Sequence, residues 1–352
     1  MNGIEHKNDV IQQKKEENPR ISQSREIVLS RLEKLGITPH ENIGQHFLVN
    51  DEAIENLAQA VVPGNTVIEI GAGVGQLTEA LSGHALKVVS IEIDQRFAPV
   101  LDDIVKEHPN IEIVYSDVLK VKLENYIPKI EKGEGSKIQI VANLPYHISE
   151  PFLHMVCKLP FEDITLVIGD NLANSMLAKG EDSLGFGQLS LLSQTFFHIG
   201  IVRWLENRDF FPPPRTKSAI VKLIPKEEFE FSGNQRDFLL RRLFLSYSKM
   251  PLVKNVLKEG LVEFKRISSM GTNDKKGFNR QHRRGVRQEL RHDLKNYEHI
   301  TEEVVSKEDR MILTQNEARH LIQKMDIPED ILNKPFQQLN NTEIQTLSAA
   351  LR

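Results

Sequence analysis

Apolar and polar positions in the first two thirds of the chain fall into short runs with strand or helix period. Val67-Ile68-Glu69-Ile70 is a β-rich run, Gly71-Ala72-Gly73-Val74-Gly75 follows it, and Gln76 to Leu81 has helical spacing. Strand, glycine turn and helix therefore come in order. Further apolar runs at Lys87 to Ile93, Ile111 to Tyr115, Lys137 to Ala142 and Asp163 to Ile168 predict four more strands. This pattern is that of an α/β, Rossmann-like open sheet. The pattern turns helical near the C-terminus. Phe238 to Tyr247 is amphipathic, and Thr314-Gln315-Asn316-Glu317 reads as a capping box before Ala318 to Met325. Asn340 to Glu343 repeats that logic before Ile344 to Leu351, so a small helical domain is expected after the sheet domain. No short internal repeat is present.

The glycine turn sets the first candidate chemistry. Gly71 and Gly73 are expected to take positive φ and let the backbone approach a ligand. The Gly-x-Gly-x-Gly spacing lacks the extra residue of the dinucleotide fingerprint, which aims a helix N-terminus at a pyrophosphate. A cofactor without phosphates fits better, and S-adenosylmethionine is the obvious one. Taken alone, the glycine cluster is also compatible with an ordinary tight turn. Its surroundings add two acids: the second strand ends in Glu92 and Asp94, about 20 residues past the loop, where a carboxylate meets ribose hydroxyls. The third strand is followed by Ser116-Asp117, at the edge where ligands of such sheets bind. Glu92 would accept from the ribose and Asp117 from the adenine amino group; each is otherwise a solvated strand-end acid.

The fourth strand runs into Asn143-Leu144-Pro145-Tyr146 on the same edge. An exocyclic amine of adenine is a poor nucleophile, because its lone pair is delocalised into the ring, and it needs acceptors more than a strong base. The Asn143 side-chain oxygen and the Leu144 carbonyl would hold the amine hydrogens and aim the lone pair at a sulfonium methyl. Pro145 would stiffen the loop, and Tyr146 would give an unstacked base a face to lie on. A strand-terminating turn uses the same residue types.

Several segments together resemble the ribosomal RNA small-subunit adenine dimethyltransferase family. These are Gly44-Gln45-His46-Phe47-Leu48, the loop from Asn143 to Ser149 with Pro151, Phe186-Gly187-Gln188-Leu189-Ser190, and Phe210-Phe211-Pro212-Pro213-Pro214 leading to Ser218-Ala219. The likeness runs from about residue 44 to 258 and resumes from about 312, including Ile327-Pro328-Glu329-Asp330-Ile331-Leu332. It implies S-adenosylmethionine contacts at His46, Leu48, Gly71, Glu92, Asp117 and Asn143, with Tyr146 and Phe210 flanking the target adenine. It also implies methyl transfer to N6 of two adjacent adenines near the 3′ end of small-subunit rRNA, within a pre-ribosomal small subunit. Departures from the family pattern are His147, where Asn is commoner, and Gly169-Asp170-Asn171 with Ser175, where a Gln-Lys-Glu run and an Arg are usual. Thr216 and Lys217 stand in place of Val and Asp.

Length and charge refine the domain picture. The 352 residues suggest about two domains, and the net charge of -4 is mildly acidic. Positive charge is concentrated between Lys265 and Lys295, with ten Lys and Arg against three acids. That stretch reads as a basic insertion at about 262–310, either touching RNA phosphates or merely solvated. Arg241, Arg242, Lys249, Lys254 and Lys258 would line a cleft between domains or form the polar face of a surface helix. The expected division is a polar tail over 1–40, a methyltransferase domain over 41–228 and a helical RNA-recognition domain over 229–352. The single Cys157 excludes an intrachain disulfide framework and is expected in the core, and no Cys/His cluster has zinc-ligand spacing. No apolar run reaches membrane-spanning length and the N-terminus lacks a secretory pattern. A cytoplasmic, metal-free monomer is expected. Two other readings remain open: a large-subunit rRNA methylase of the erythromycin-resistance type, and a ribosome-assembly factor with weak or no methylation.

Overall fold

A computed structural model describes residues 22–40, 44–126, 137–157, 159, 161–178, 185–226, 234–246, 249–269 and 313–351, the side chains of Glu124 and Tyr146 excepted. Helix α1 (Gln23–Leu35) starts at an Ser22 cap that accepts from Arg25 N and stops at Gly36, φ 63°. Then follow β1 (Phe47–Leu48), α2 (Asp51–Gln59), β2 (Thr66–Ile70), α3 (Gln76–Ser82), β3 (Lys87–Glu92), α4 (Ala98–Glu107), β4 (Ile111–Tyr115) and β5 (Ile138–Asn143). The chain continues with α5 (Tyr146–Val156), β6 (Asp163–Gly169), α6 (Asp170–Leu177), α7 (Gln188–Phe196), β7 (Phe197–Leu205), β8 (Phe210–Phe211) and β9 (Ser218–Pro225). The C-terminal helices are α8 (Gln235–Leu245), α9 (Val253–Ser269), α10 (Gln315–Gln323), α11 (Glu329–Leu332) and α12 (Asn341–Ala350).

Seven strands form one sheet in the order β4-β3-β2-β5-β6-β9-β7, and β1 pairs with β8 in a separate ribbon. Strands β2 to β6 are parallel, while β9 runs antiparallel to both β6 and β7. Every residue of β2 is buried, as expected for a central parallel strand covered on both faces. Alternate side chains feed two cores. Ile68, Ile140, Leu166 and Val221 face one, and Val67, Val141, Val167 and Ile220 face the other. The glycine turn and the motif at Asn143 thus emerge side by side from adjacent central strands, since Ile70 pairs with Ala142.

Two expected boundaries are corrected. The polar tail does not extend to residue 40, because Val28 and Leu32 of α1 are buried in the core with Leu77 and Leu101. Residues 1–21 of that tail lie outside the described residues. The insertion does not begin at 262 either: α9 continues to Ser269 with Ile267 fully buried, and residues 270–312 lie outside the described residues. Both expected capping boxes are present, at Thr314 with Glu317 and at Asn340 with Glu343.

The helical part shares a core with the sheet. Phe244 of α8 makes edge contacts with Phe196 of α7 at 6.0 Å and with Phe336 at 4.9 Å, and all three rings are buried. The segment Phe186 to Ser190 sits at this joint: Gln188 Nε2 donates to the Phe336 carbonyl at 3.2 Å and Gln345 Nε2 to that of Phe186 at 3.0 Å. The one-core arrangement predicts that Phe244→Ala costs about 3–5 kcal/mol and lowers a single thermal transition. Calorimetry showing two transitions, with only one of them moved, would contradict it.

Candidate active site

The glycine turn is shaped from both sides. Gly71, Gly73 and Gly75 have φ of 83°, 56° and 85°, in the region that disfavours side chains. At Gly75 a Cβ would also lie 2.3 Å from Ile104 Cδ1 of α4. From outside, Arg31 of α1 donates to the Val74 carbonyl at 2.9 Å and pairs with Glu79 at 2.7 Å. Helix α1 therefore buttresses the turn, a role sequence reasoning missed.

Two buried carboxylates lie behind and beside this turn. Glu69 is fully buried in β2; one oxygen accepts from Thr78 Oγ1 at 2.6 Å and from Ser90 Oγ, and Oε1 has no partner among the described residues. Burial pushes its pKa up to about 7. Glu92, at the end of β3, accepts from Gly73 N at 2.8 Å and from Asp94 N at 2.7 Å, and burial raises its pKa as well. These backbone bonds fix the carboxylate beside the turn, and each oxygen keeps a further lone pair. Asp94 in turn accepts from Gln45 Nε2 at 2.8 Å, which pins the segment before β1 onto the end of β3. The bond to Arg96 holds the Asp94 pKa below the usual range. Asp117, at the next strand end, accepts from Leu119 N at 3.0 Å and lies 3.4 Å from Lys120 Nζ.

Three distant segments meet at Asn143. Its Nδ2 donates to the His46 carbonyl at 2.9 Å, leaving the amide oxygen as the acceptor. His46 Nδ1 is 2.8 Å from the Pro212 carbonyl, and β1 pairs with β8 through Phe47 with Phe211 and Leu48 with Phe210. Gly44 passes so near the loop that a Cβ there would be 3.2 Å from Pro145 Cβ. Leu144 donates to the Val167 carbonyl at 3.1 Å, and the first turn of α5 closes on Pro145 O, so that among the described residues no backbone N–H outside the regular elements donates to Leu144 O. Tyr146 opens α5. The expectation that Phe210 flanks a base is corrected: pairing with Leu48 turns its ring into the core, where it is 2 % exposed. Phe211 is the more accessible ring, with Arg25 Cζ 5.5 Å from its centroid.

The C-terminal cations expected to line a cleft or to form a polar helix face differ from one another in placement. Arg241 is buried and donates to the Thr195 carbonyl at 3.4 Å, Arg242 pairs with Glu263 at 2.9 Å, and Lys254 binds Asn333 at 2.6 Å. Lys249 is exposed and Lys258 half-buried. Among the described residues no group of His, Cys, Asp and Glu has a metal-binding arrangement, and no helix is long and apolar enough to cross a membrane.

The site residues fit S-adenosylmethionine. Gly71 and Gly73 bring bare backbone to the ligand edge, two acids stand at consecutive strand ends, and the turn itself contains no cation to meet phosphate. The family profile described as ribosomal RNA adenine dimethylase matches residues 37–269. The chain belongs to that family. A relative named ribosomal RNA small subunit methyltransferase A, from Oceanobacillus iheyensis, is 32 % identical over 238 residues, covering 66 % of this chain and 79 % of that one. One of the same name from Shouchella clausii is 36 % identical over 201 residues, 56 % of this chain and 67 % of that one. A crystal structure of a dimethyladenosine transferase from Plasmodium falciparum aligns with a TM-score of 0.48 at 23 % identity, covering 86 % of this chain and 95 % of that one. As in the family, the cofactor is S-adenosylmethionine.

Glu69 gives a test of the buried charge beneath the turn. Its folded pKa lies above that of the unfolded chain, so its contribution to stability is full below about pH 4.5 and is lost as pH rises through about 7. Glu69→Gln should remove this slope. Between pH 4.5 and 8, denaturant unfolding of the native chain should lose on the order of 3 kcal/mol relative to the variant. Parallel stability profiles would show that the site holds Glu69 charged throughout.

Proposed function

We propose that this chain transfers methyl groups from S-adenosylmethionine to N6 of adenines near the 3′ end of small-subunit rRNA, two adjacent adenines being the expected target. The observation that carries this reading is the Asn143 amide, whose nitrogen is held by the His46 carbonyl so that its oxygen is the free acceptor. When bound, S-adenosylmethionine supplies the electrophilic methyl. The chain's own part is binding and orientation. Gly71 and Gly73 line the cofactor with backbone, Leu48, whose side chain is buried, meets it through backbone alone, His46 joins them at the Asn143 bond, Glu92 accepts from its ribose and Asp117 from its adenine amino group.

The Asn143 oxygen and the Leu144 carbonyl accept the two amine hydrogens of the target base. They turn its nitrogen lone pair toward the methyl and stabilise the positive charge that grows on nitrogen as the bond forms. The proton then leaves to solvent. Tyr146 is assigned the stacking role by residue type and by its place one residue after Pro145. Small-subunit rRNA is favoured over a large-subunit target because the named relatives are small-subunit methyltransferases. A monomer acting on pre-ribosomal small subunits in the cytoplasm completes the reading.

Asn143→Ala should slow single-turnover methyl transfer to undermethylated small subunits by about 10²- to 10³-fold, with affinity for the RNA unchanged. Transfer at close to the native rate would remove Asn143 from the chemistry. Native protein that binds S-adenosylmethionine but methylates neither subunit would favour a role in assembly alone.

A further inference from the structure

The outer edge of the sheet carries an exposed apolar pair that the proposed reaction does not use. Val202 and Trp204 of β7 are 55 % and 47 % exposed. A bulge between Ile201 and Arg203 interrupts the register where Val202 sits. Trp204 is the only tryptophan of the chain.

Register places Trp204 at the level of the active site, on the sheet face of Ala219 and Ile168, whereas Asn143 shares the face of Val167. Strand β7 is antiparallel to β9, which is antiparallel to β6, so β7 runs with β6 and ends on the edge from which Asn143 emerges. Asn143 pairs with Val167, and the next residue, Ile168, pairs with Ala219, which pairs with Trp204. Trp204 is therefore almost level with Asn143 and three strands away, roughly 14 Å at ~4.8 Å per strand. After β7 the chain passes through Glu206 to Asp209 into Phe210 and the proline-rich segment, so the exposed pair leads directly into the site in sequence.

The charges around it suit a polyanion. Arg208 and Arg215 are exposed on the segments that flank β8, with no acidic partner among the described residues. The nearby acids are already engaged: Glu206 pairs with Lys217 at 2.9 Å, and Asp209 accepts from Asn50 Nδ2 at 2.8 Å and from Glu206 N at 2.7 Å. Asp170, which opens α6 against β9, accepts from Asn171 N at 2.8 Å. On the same strand Arg203 is paired with Glu52 at 2.8 Å.

We infer that Trp204, exposed with Val202 on the edge strand and followed along the chain by the exposed Arg208 and Arg215, is a stacking platform for an unpaired base of the RNA substrate lying a few nucleotides from the methylated adenine. The inference rests on the reading of this chain as an RNA methyltransferase. An aromatic face takes any base, and the arginines take the phosphates beside it. Such a platform would hold the strand outside the site while the target base turns in.

The sole tryptophan makes the test direct. Undermethylated small-subunit rRNA should quench Trp204 emission saturably and shield it from acrylamide. Trp204→Ala should weaken binding of that RNA by ~5- to 100-fold, Trp204→Phe should recover most of it, and S-adenosylmethionine affinity should stay unchanged in both as a check on folding. Native RNA affinity in Trp204→Ala, or emission that stays accessible to acrylamide at saturating RNA, would overturn the platform while leaving the methyltransferase reading intact. A native protein that neither binds nor methylates the RNA would overturn both. A native dimer that dissociates in Trp204→Ala would assign the patch to a second copy of the chain and overturn the platform.

Discussion

The hydrogen bond from Asn143 Nδ2 to the His46 carbonyl spans 97 residues of sequence and fixes the orientation of the acceptor on which the proposed chemistry turns. An asparagine at a strand end is otherwise free to rotate, and either end of its amide would face the base. One of its two N–H groups is held by His46, which turns the amide so that its oxygen is the end presented as acceptor. The His46 position is itself held twice, by its ring against Pro212 and by the two-stranded ribbon that follows it. The proline-rich segment, the segment before β1 and the loop after β5 thus form one unit, and moving any of them would turn the acceptor.

The two buried carboxylates at the cofactor edge, Glu69 and Glu92, are held by hydrogen bonds rather than by ion pairs. Glu92 keeps its place because two backbone N–H groups donate to it, one of them from the glycine turn, so the shape of the turn and the aim of the carboxylate are a single feature. Glu69 lies one layer deeper, bridging β2 to Ser90 of β3 and Thr78 of α3. Arg31 closes the arrangement from the solvent side by holding the Val74 carbonyl. The turn is therefore supported by the sheet behind it and by α1 in front.

Much of this was legible in the chain, and the rest was hidden for identifiable reasons. The central strands and the capping boxes follow from local periodicity, and the structure differs from the expected ends by a residue or so, with β3 stopping at Glu92 and Ile93 exposed. Glu69 carried a signal that went unused: an acid inside an apolar strand must find partners or shift its pKa. Helix α1 was hidden because only Val28 and Leu32 of its residues are buried, too few to stand out from a polar stretch. The burial of Phe210 and the pairing of β1 with β8 depend on contacts between residues more than 160 positions apart, which no local pattern records. Likewise the C-terminal cations look alike in sequence, although Arg241 is buried and Lys249 is exposed.

The central claim is that this site places an rRNA adenine amine against the cofactor's methyl. It is tested most directly by incubating the full chain and labelled S-adenosylmethionine with undermethylated small subunits and with large subunits, then mapping modified adenines by mass spectrometry. The account predicts dimethylated adenines, adjacent in sequence, near the 3′ end of the small-subunit RNA. Label confined to the large subunit, or no label from a protein that binds S-adenosylmethionine, would contradict it.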